Sequence, residues 1–440
     1  MRLYSSNRKV PSVSLQEAVL QGLAADSGLF MPEHIPVLPA EFFRRLPSLS
    51  IHDIAFEVLQ PFVGGAIPPD ELSSMLERTF NFDAPLVELA ENLYALELFH
   101  GPTLAFKDFG ARMLAEWLRY FLRKEKRPLL VLVATSGDTG SAVGHAFLGM
   151  PNTYVVLLYP SGKVSTIQEQ QLTTIGGNVV AVELLGTFDD CQRLVKMAFL
   201  DSDLRTQFLL SSANSINIAR LLPQMVYYFR AVAQLRRPDL PTAIAVPSGN
   251  FGNLTAGLFA KRMGLPVQMF IAATNQNDVV PTYLRTGRFE PRPSQRTLSN
   301  AMDVGNPSNF ARMTELYPTL DAMRQDLFGI SFSDEETARA IQQLYQRYGY
   351  LSEPHGAIGY LGLCAYAEQQ PMPMNRIFLA TAHPAKFADI VEPLLSVKIE
   401  VPARLNAALN KPKQAVRLPN DFSTFKAWLQ AHATTYAKPL

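Results

Sequence analysis

The chain is expected to be an α/β protein with two lobes, each a doubly wound parallel sheet, behind a helical N-terminal segment. Three observations lead there. From about residue 91 onward, seven short apolar runs (LYALELF, PLLVLVAT, TYVVLLY, NVVAVEL, TAIAVP, QMFIAA and RIFLAT) have strand length, and most run into a helical pattern. That alternation marks parallel sheets, which set their ligands at the carboxyl ends of the strands. Residues 1–90 hold no such run and show helical spacing instead. Finally, 91–440 is long enough for two sheets, so a cleft between lobes is the expected site, with the smaller lobe at roughly 130–235.

In the N-terminal segment SLQEAVLQGLA is amphipathic, and IHDIAFEVLQPFV starts just after Ser50. PPDELSSMLERTF opens with the prolines and acids suited to a first helical turn. Gly28, Pro32, Pro36 and Pro39 mark turns between these helices, and no chemical motif is found among them. In the body, INIARLLPQMVYYFRAVAQL and SDEETARAIQQLYQRYGY read as covering helices, and FEPRPSQRT at 289–297 as an exposed loop.

Composition narrows the function. With 48% hydrophobic and 18% charged residues among 440, the chain can bury a large core. Its 40 basic residues against 39 acidic ones leave a net charge of +1, so no global field favours nucleic acid or an anionic membrane. Any anion must be recognised locally. Cys191 and Cys364 fit neither a disulfide framework nor a CxxC metal pair, which points to a reducing compartment, the cytoplasm by default. MRLYSSNRKVPSVS lacks a signal-peptide core, and no apolar run reaches the roughly 18 residues of a membrane helix.

The chemistry is expected at four junctions. The first is HGPTLAFKDFGARM, where Lys107 lies between an apolar strand and an amphipathic helix. Taken alone, a lysine in a first helical turn is a solvated surface residue. Here Phe106 and Phe109 flank it and Asp108 follows it, and the positive end of the helix dipole opposes its ammonium form. A lowered pKa is what a Schiff-base lysine needs as nucleophile and proton shuttle. The second junction, ATSGDTGSAVGHAF, follows the strongest strand; its small residues form a cup for an anion, although a ligand-free turn would look the same. It is neither GxGxxG nor a P-loop. In the third, TAIAVPSGNFGNLTAGLFAKR, Gly249 and Gly252 allow close backbone approach while Asn250 and Asn253 add uncharged donors, which suits a cofactor phosphate. At the fourth, RIFLATAHPAKF, Thr381 ends a strand and could face a pyridine nitrogen, or else simply cap the next helix. His355 and His383 lack metal-ligand spacing, so no metal is expected.

Together these stretches resemble the threonine synthase family, pyridoxal-phosphate enzymes of fold type II, the tryptophan-synthase-β group. The resemblance runs through nearly the whole chain, from YSSNRKVPSVSLQEAVLQGLAADSGLFMPEHIP through FKDFG, ATSGDTGSA, LYPSGKVSTIQ, SANSINIARLLPQ, SGNFGN and SEPHGAIG to LATAHPAKF. It implies pyridoxal 5'-phosphate as cofactor and O-phospho-L-homoserine as substrate, converted with water to L-threonine and phosphate. Lys107 then matches the Schiff-base lysine, Gly249, Asn250, Phe251, Gly252 and Asn253 the cofactor phosphate loop, and Thr381 the residue at the pyridine nitrogen. Ser136, Gly137, Asp138 and Thr139 match the loop for the substrate carboxylate. For the substrate phosphate, chemistry alone offers Asn217 and Arg220, or Lys163.

The resemblance also implies a monomer. The family's longer form carries a regulatory N-terminal segment responsive to S-adenosylmethionine; no such segment is recognised here, and no such regulation is expected. Two other readings share the lysine and the sheet. One is a fold type II lyase of the serine/threonine dehydratase kind; the other is a catalytically retired relative that binds a metabolite. The blocks ATSGDTGSA, LYPSGKVS and EPHGAIG argue against the first, and an intact Lys107 and Thr381 against the second.

Overall fold

The computed structural model describes residues 1–135 and 137–436. Its N-terminal strands are β1 (Arg2–Ser5), β2 (Val13–Ser14) and β3 (Phe30–Pro32), and those of the body begin with β4 (Leu86–Ala90) and β5 (Leu93–Glu97). Next come β6 (Leu129–Ala134), β7 (Thr153–Pro160), β8 (Val179–Leu185) and β9 (Leu209–Ser212). β10 (Thr242–Pro247), β11 (Met269–Thr274), β12 (Leu327–Ser331), β13 (Asn375–Ala380) and β14 (Ala415–Pro419) complete the set. All seven apolar runs are strands, with ends displaced by a residue or two.

The N-terminal segment holds the expected helices Leu15–Gln21, Ile51–Val63 and Pro69–Thr79. Ser14 and Ser50 start the first two through reciprocal capping boxes with Glu17 and Asp53. The structure adds a small antiparallel sheet of order β2-β1-β3, which the helical spacing did not announce.

The body contains two sheets. The larger has the order β12-β11-β10-β13-β5-β4 and is parallel except for β4, which pairs antiparallel with β5. The smaller, β14-β8-β7-β6-β9, is parallel throughout. It therefore draws β14 from far beyond residue 235, together with helix Phe422–Tyr436, which packs on it. Conversely, helix Met225–Ala233 packs on Ile51–Val63 and Gly252–Arg262, away from the smaller sheet.

Two features of this layout position the site. In the larger sheet β10, β13 and β5 are neighbours in parallel register, with Ala245 opposite Phe378 and Ala380 opposite Glu97. The chain therefore leaves three adjacent strands on the same edge, toward 248–253, toward Thr381 and toward Lys107. The second feature joins the sheets: helix Lys107–Phe121, which follows β5, packs against helix Asp138–Phe147, which follows β6. Lys107 and Asp138 are the first residues of those two helices.

Candidate active site

Lys107 is fixed by backbone bonds on both sides. The loop before it forms an antiparallel bridge between Ala105 and Ala382, and the N–H of Phe106 donates to the carbonyl of Thr381 at 2.9 Å. Asp108 locks the same loop by accepting from the N–H and hydroxyl of Thr103 at 2.8 and 2.7 Å. At a helix start the dipole would favour its ionised form, yet burial outweighs both the dipole and these bonds and pushes its carboxyl up to about 6.

The Lys107 side chain is 15% exposed; its Nζ lies 4.9 Å from the Phe106 ring centroid and 3.7 Å from Asp138 Oδ2. Burial pulls its amine below the ordinary lysine range. Asp138 opposes that shift, while Lys386 and Arg220 reinforce it.

Asp138 is occupied. Its Oδ1 accepts from Lys386 Nζ at 2.7 Å and from Gln168 Nε2 at 3.0 Å. Burial opposes its ionisation, but Lys386 and Lys107 hold its carboxyl well below the usual range. A carboxylate so placed repels a second carboxylate, so the expectation for Asp138 could hold only for its backbone N–H. The N–H groups of Gly137 and Gly140 already donate to Thr135 Oγ1, at 3.1 and 2.9 Å. Thr139 is half-buried beside them, and Ser136 lies outside the described residues.

The turn after β10 is built as a cup. A Cβ on Gly249 would meet Met302 Cα at 2.6 Å, so only glycine fits there. Phe251 has φ of 59°, in the left-handed region, and its buried ring holds that conformation at the start of helix Gly252–Arg262. Asn250 ties the cup's rim together: its Oδ1 accepts from Ser308 N at 2.6 Å, and its Nδ2 donates to Ser215 Oγ. Asn253 Oδ1 accepts from the hydroxyls of Tyr227 and Tyr228, both at 2.6 Å. Its Nδ2, by contrast, is buried without a partner among the described residues.

Arg220 is the second unfinished group. It is 4% exposed, donates from Nη1 to Ala213 O at 2.6 Å, and has a buried Nε with no partner among the described residues. No carboxylate among the described residues pairs with it, and burial pulls it down to about 10. Helix Lys107–Phe121 comes close because Gly110 leaves room; a Cβ there would lie 2.5 Å from Arg220 O. Buried donors without acceptors, at a helix start and on an uncompensated guanidinium, fit phosphate oxygens.

Asn217 behaves differently. Its Nδ2 donates to Val19 O and Ser212 O and its Oδ1 caps Ala219 N, so its amide is committed to holding the segment that carries Arg220. Lys163 stands exposed on the turn after β7. Thr381 caps no helix; its hydroxyl donates to Glu353 Oε1 at 3.3 Å, and His383 caps the following turn. His355 accepts from Ala301 N at Nε2 and therefore donates from Nδ1 to Glu353. Glu353 and Lys386 were missed as site residues. Both lie in blocks, SEPHGAIG and LATAHPAKF, where the histidines drew attention; the usable signal was a charged residue inside an apolar stretch.

A buried amine held below its usual range, together with a polar cup at the carboxyl ends of neighbouring parallel strands, defines the class. The chain is a pyridoxal-phosphate-dependent enzyme of fold type II, and residues 78–380 match the family model "Pyridoxal-phosphate dependent enzyme". Residues 2–80 match "Threonine synthase N terminus" and 356–429 "Threonine synthase, C-terminal". The chain belongs to the threonine synthase family.

A Haemophilus influenzae threonine synthase is 46% identical across 98% of this chain and 99% of its own length, and the Escherichia coli enzyme 43% across 98% and 100%. The solved Escherichia coli structure superposes with a TM-score of 0.90, covering 98% of this chain and 100% of that one at 43% identity. A PLP-bound threonine synthase from Brucella melitensis gives 0.91 at 37% identity, covering 98% and 99%. Threonine deaminase isoform 2 of Solanum lycopersicum, at 15% identity and a TM-score of 0.55 over 74% of this chain and 93% of that one, shares the fold alone.

Proposed function

We propose that the chain is a threonine synthase that uses pyridoxal 5'-phosphate to convert O-phospho-L-homoserine and water into L-threonine and phosphate. One observation supports this reading: a charge-disfavoured amine at Lys107 has the buried Arg220 guanidinium, with its unpartnered Nε, among the charges that act on it, in a chain that matches its family over nearly its whole length.

Bound pyridoxal phosphate supplies an electron sink beside the amino-bearing carbon of the substrate. Lys107 is assigned as its attachment point, since burial disfavours its ammonium form and a free amine is the nucleophile. Once released, Lys107 Nζ can take the proton from the substrate Cα and later return it. Gly249, Asn250, Phe251, Gly252 and Asn253 would hold the cofactor phosphate, with Asn253 Nδ2 gaining the acceptor it lacks. Thr381 would turn its hydroxyl proton from Glu353 to the ring nitrogen, which accepts it. Arg220 would receive the substrate phosphate. The backbone of Ser136, Gly137, Asp138 and Thr139 would receive the substrate carboxylate, and Asn217 keeps a supporting role. Phe106 and the rings of Phe109, Phe82 and Tyr227, packed edge to face at 4.9 and 5.1 Å, keep water from the Lys107 side.

The reading includes a cytoplasmic monomer that needs neither nucleic acid nor membrane. The near-neutral charge and the free thiols of Cys191 and Cys364 support it, and no helix among the described residues is long and apolar enough to cross a membrane. The deciding assay offers purified protein phosphohomoserine, serine or threonine. Equal amounts of phosphate and threonine from the first substrate support the proposal; ammonia from serine alone defeats it.

A further inference from the structure

We propose that Lys386 is a positioning residue that keeps Lys107 in its free-amine form by taking the single negative charge of Asp138 for itself. This rests on the reading of Lys107 as the attachment lysine. The geometry is one carboxylate between two lysines. Lys386 Nζ sits 2.7 Å from Asp138 Oδ1 and donates to Thr103 O at 2.9 Å, with its side chain 0% exposed. Lys107 Nζ stands farther off, 3.7 Å from Asp138 Oδ2, at the open side of the site. Gln168 anchors the Asp138 oxygen that Lys386 uses, leaving only the more distant Oδ2 turned to Lys107.

The charges facing Lys107 come from four groups on different elements: Asp138 at the start of its helix, Lys386 in the turn Pro384–Phe387, Arg220 in the helix Ile218–Leu221, and Glu353 before helix Pro354–Gln369. Two cations and two carboxylates already balance. A proton on Lys107 would add an uncompensated charge to a largely buried site, which is disfavoured. The direction agrees with the lowered amine of Lys107 and the strongly ionised Asp138. Lys386 is too deeply enclosed to meet solvent, and its remaining bond goes to the loop that carries Lys107, so both of its contacts serve this site.

The test is competitive acetylation of the full-length chain, freed of cofactor, with acetic anhydride across pH, reading Lys107 by mass spectrometry. In Lys386→Met the charge of Asp138 passes to Lys107, so the midpoint should rise by about one pH unit, roughly a ten-fold loss of free amine at neutral pH. In Asp138→Asn it should fall. A merely structural role for Lys386 would not move the two variants in opposite directions. Both midpoints unchanged, or both displaced the same way, overturns the proposal; if Lys386→Met does not fold, an unchanged or raised midpoint in Asp138→Asn overturns it alone. An ordinary lysine midpoint in the parent would instead defeat the underlying assignment of Lys107.

Discussion

The N–H of Phe106 donates to the carbonyl of Thr381 at 2.9 Å, so the residue before Lys107 and the end of strand β13 move as one body. Two groups far apart in the sequence thereby keep a fixed spacing, as the roles proposed for Lys107 and Thr381 at opposite ends of one cofactor ring require.

Because that bond uses the backbone of Thr381, its side chain can be changed without losing the register. Thr381→Val should lower stability by only about 1 kcal/mol, through loss of the bond to Glu353. Turnover should fall by about ten-fold or more while the cofactor stays bound, because the ring nitrogen loses the partner proposed for it. Thermal melts and the absorbance of bound cofactor check the two halves separately.

The cup after β10 predicts a different pattern. Gly249→Ala forces a Cβ against Met302 Cα, and Asn250→Ala releases Ser308 and Ser215 from the rim. Both variants should weaken cofactor retention, Asn250→Ala by about ten-fold, with smaller effects on kcat at saturating cofactor. Titration of cofactor-free protein measures this; equal affinity in variant and parent would contradict the assigned role of the turn.

Arg220 is buried with no carboxylate partner among the described residues, so it should stabilise little until an oxyanion arrives. Inorganic phosphate should raise the melting temperature of the parent, and this gain should be largely lost in Arg220→Met. An identical phosphate response in both proteins would remove Arg220 from anion binding.

Lys107 itself should destabilise the cofactor-free fold. Its folded-state pKa lies below the ordinary 10.5, so over the interval between those values the unfolded chain binds more protons. Stability therefore rises with pH across that interval and is lowest below it. Lys107→Met should melt higher than the parent at neutral pH, with a gap that narrows as pH approaches 10.5. Melting curves from neutral to alkaline pH test the sign.

The pattern of strands read correctly from sequence has a physical cause. The seven apolar runs became β5, β6, β7, β8, β10, β11 and β13, which are all interior strands, covered on both faces. The body strands that escaped, β4, β9, β12 and β14, are the four sheet edges. Their half-exposed residues, as in AVRLP, carry no continuous apolar signal.

The site divides in a similar way. Lys107 and the SGNFGN turn were legible because local chemistry marks them: a lysine among aromatics, and glycines where backbone must approach closely. The bond between Asp138 and Lys386 was not, since nothing local announces that residues so far apart in the chain share one charge. Asp138 looked like part of an anion cup until Lys386 and Gln168 were seen to occupy its carboxylate.

Two enclosed lysines flank Asp138, and the account depends on which of them carries the cofactor. Borohydride reduction of the holoenzyme, followed by digestion and mass spectrometry, locates the pyridoxyl group directly. The account predicts it on Lys107 alone, with Lys386 unmodified; a pyridoxyl group on Lys386, or on neither lysine, would contradict it.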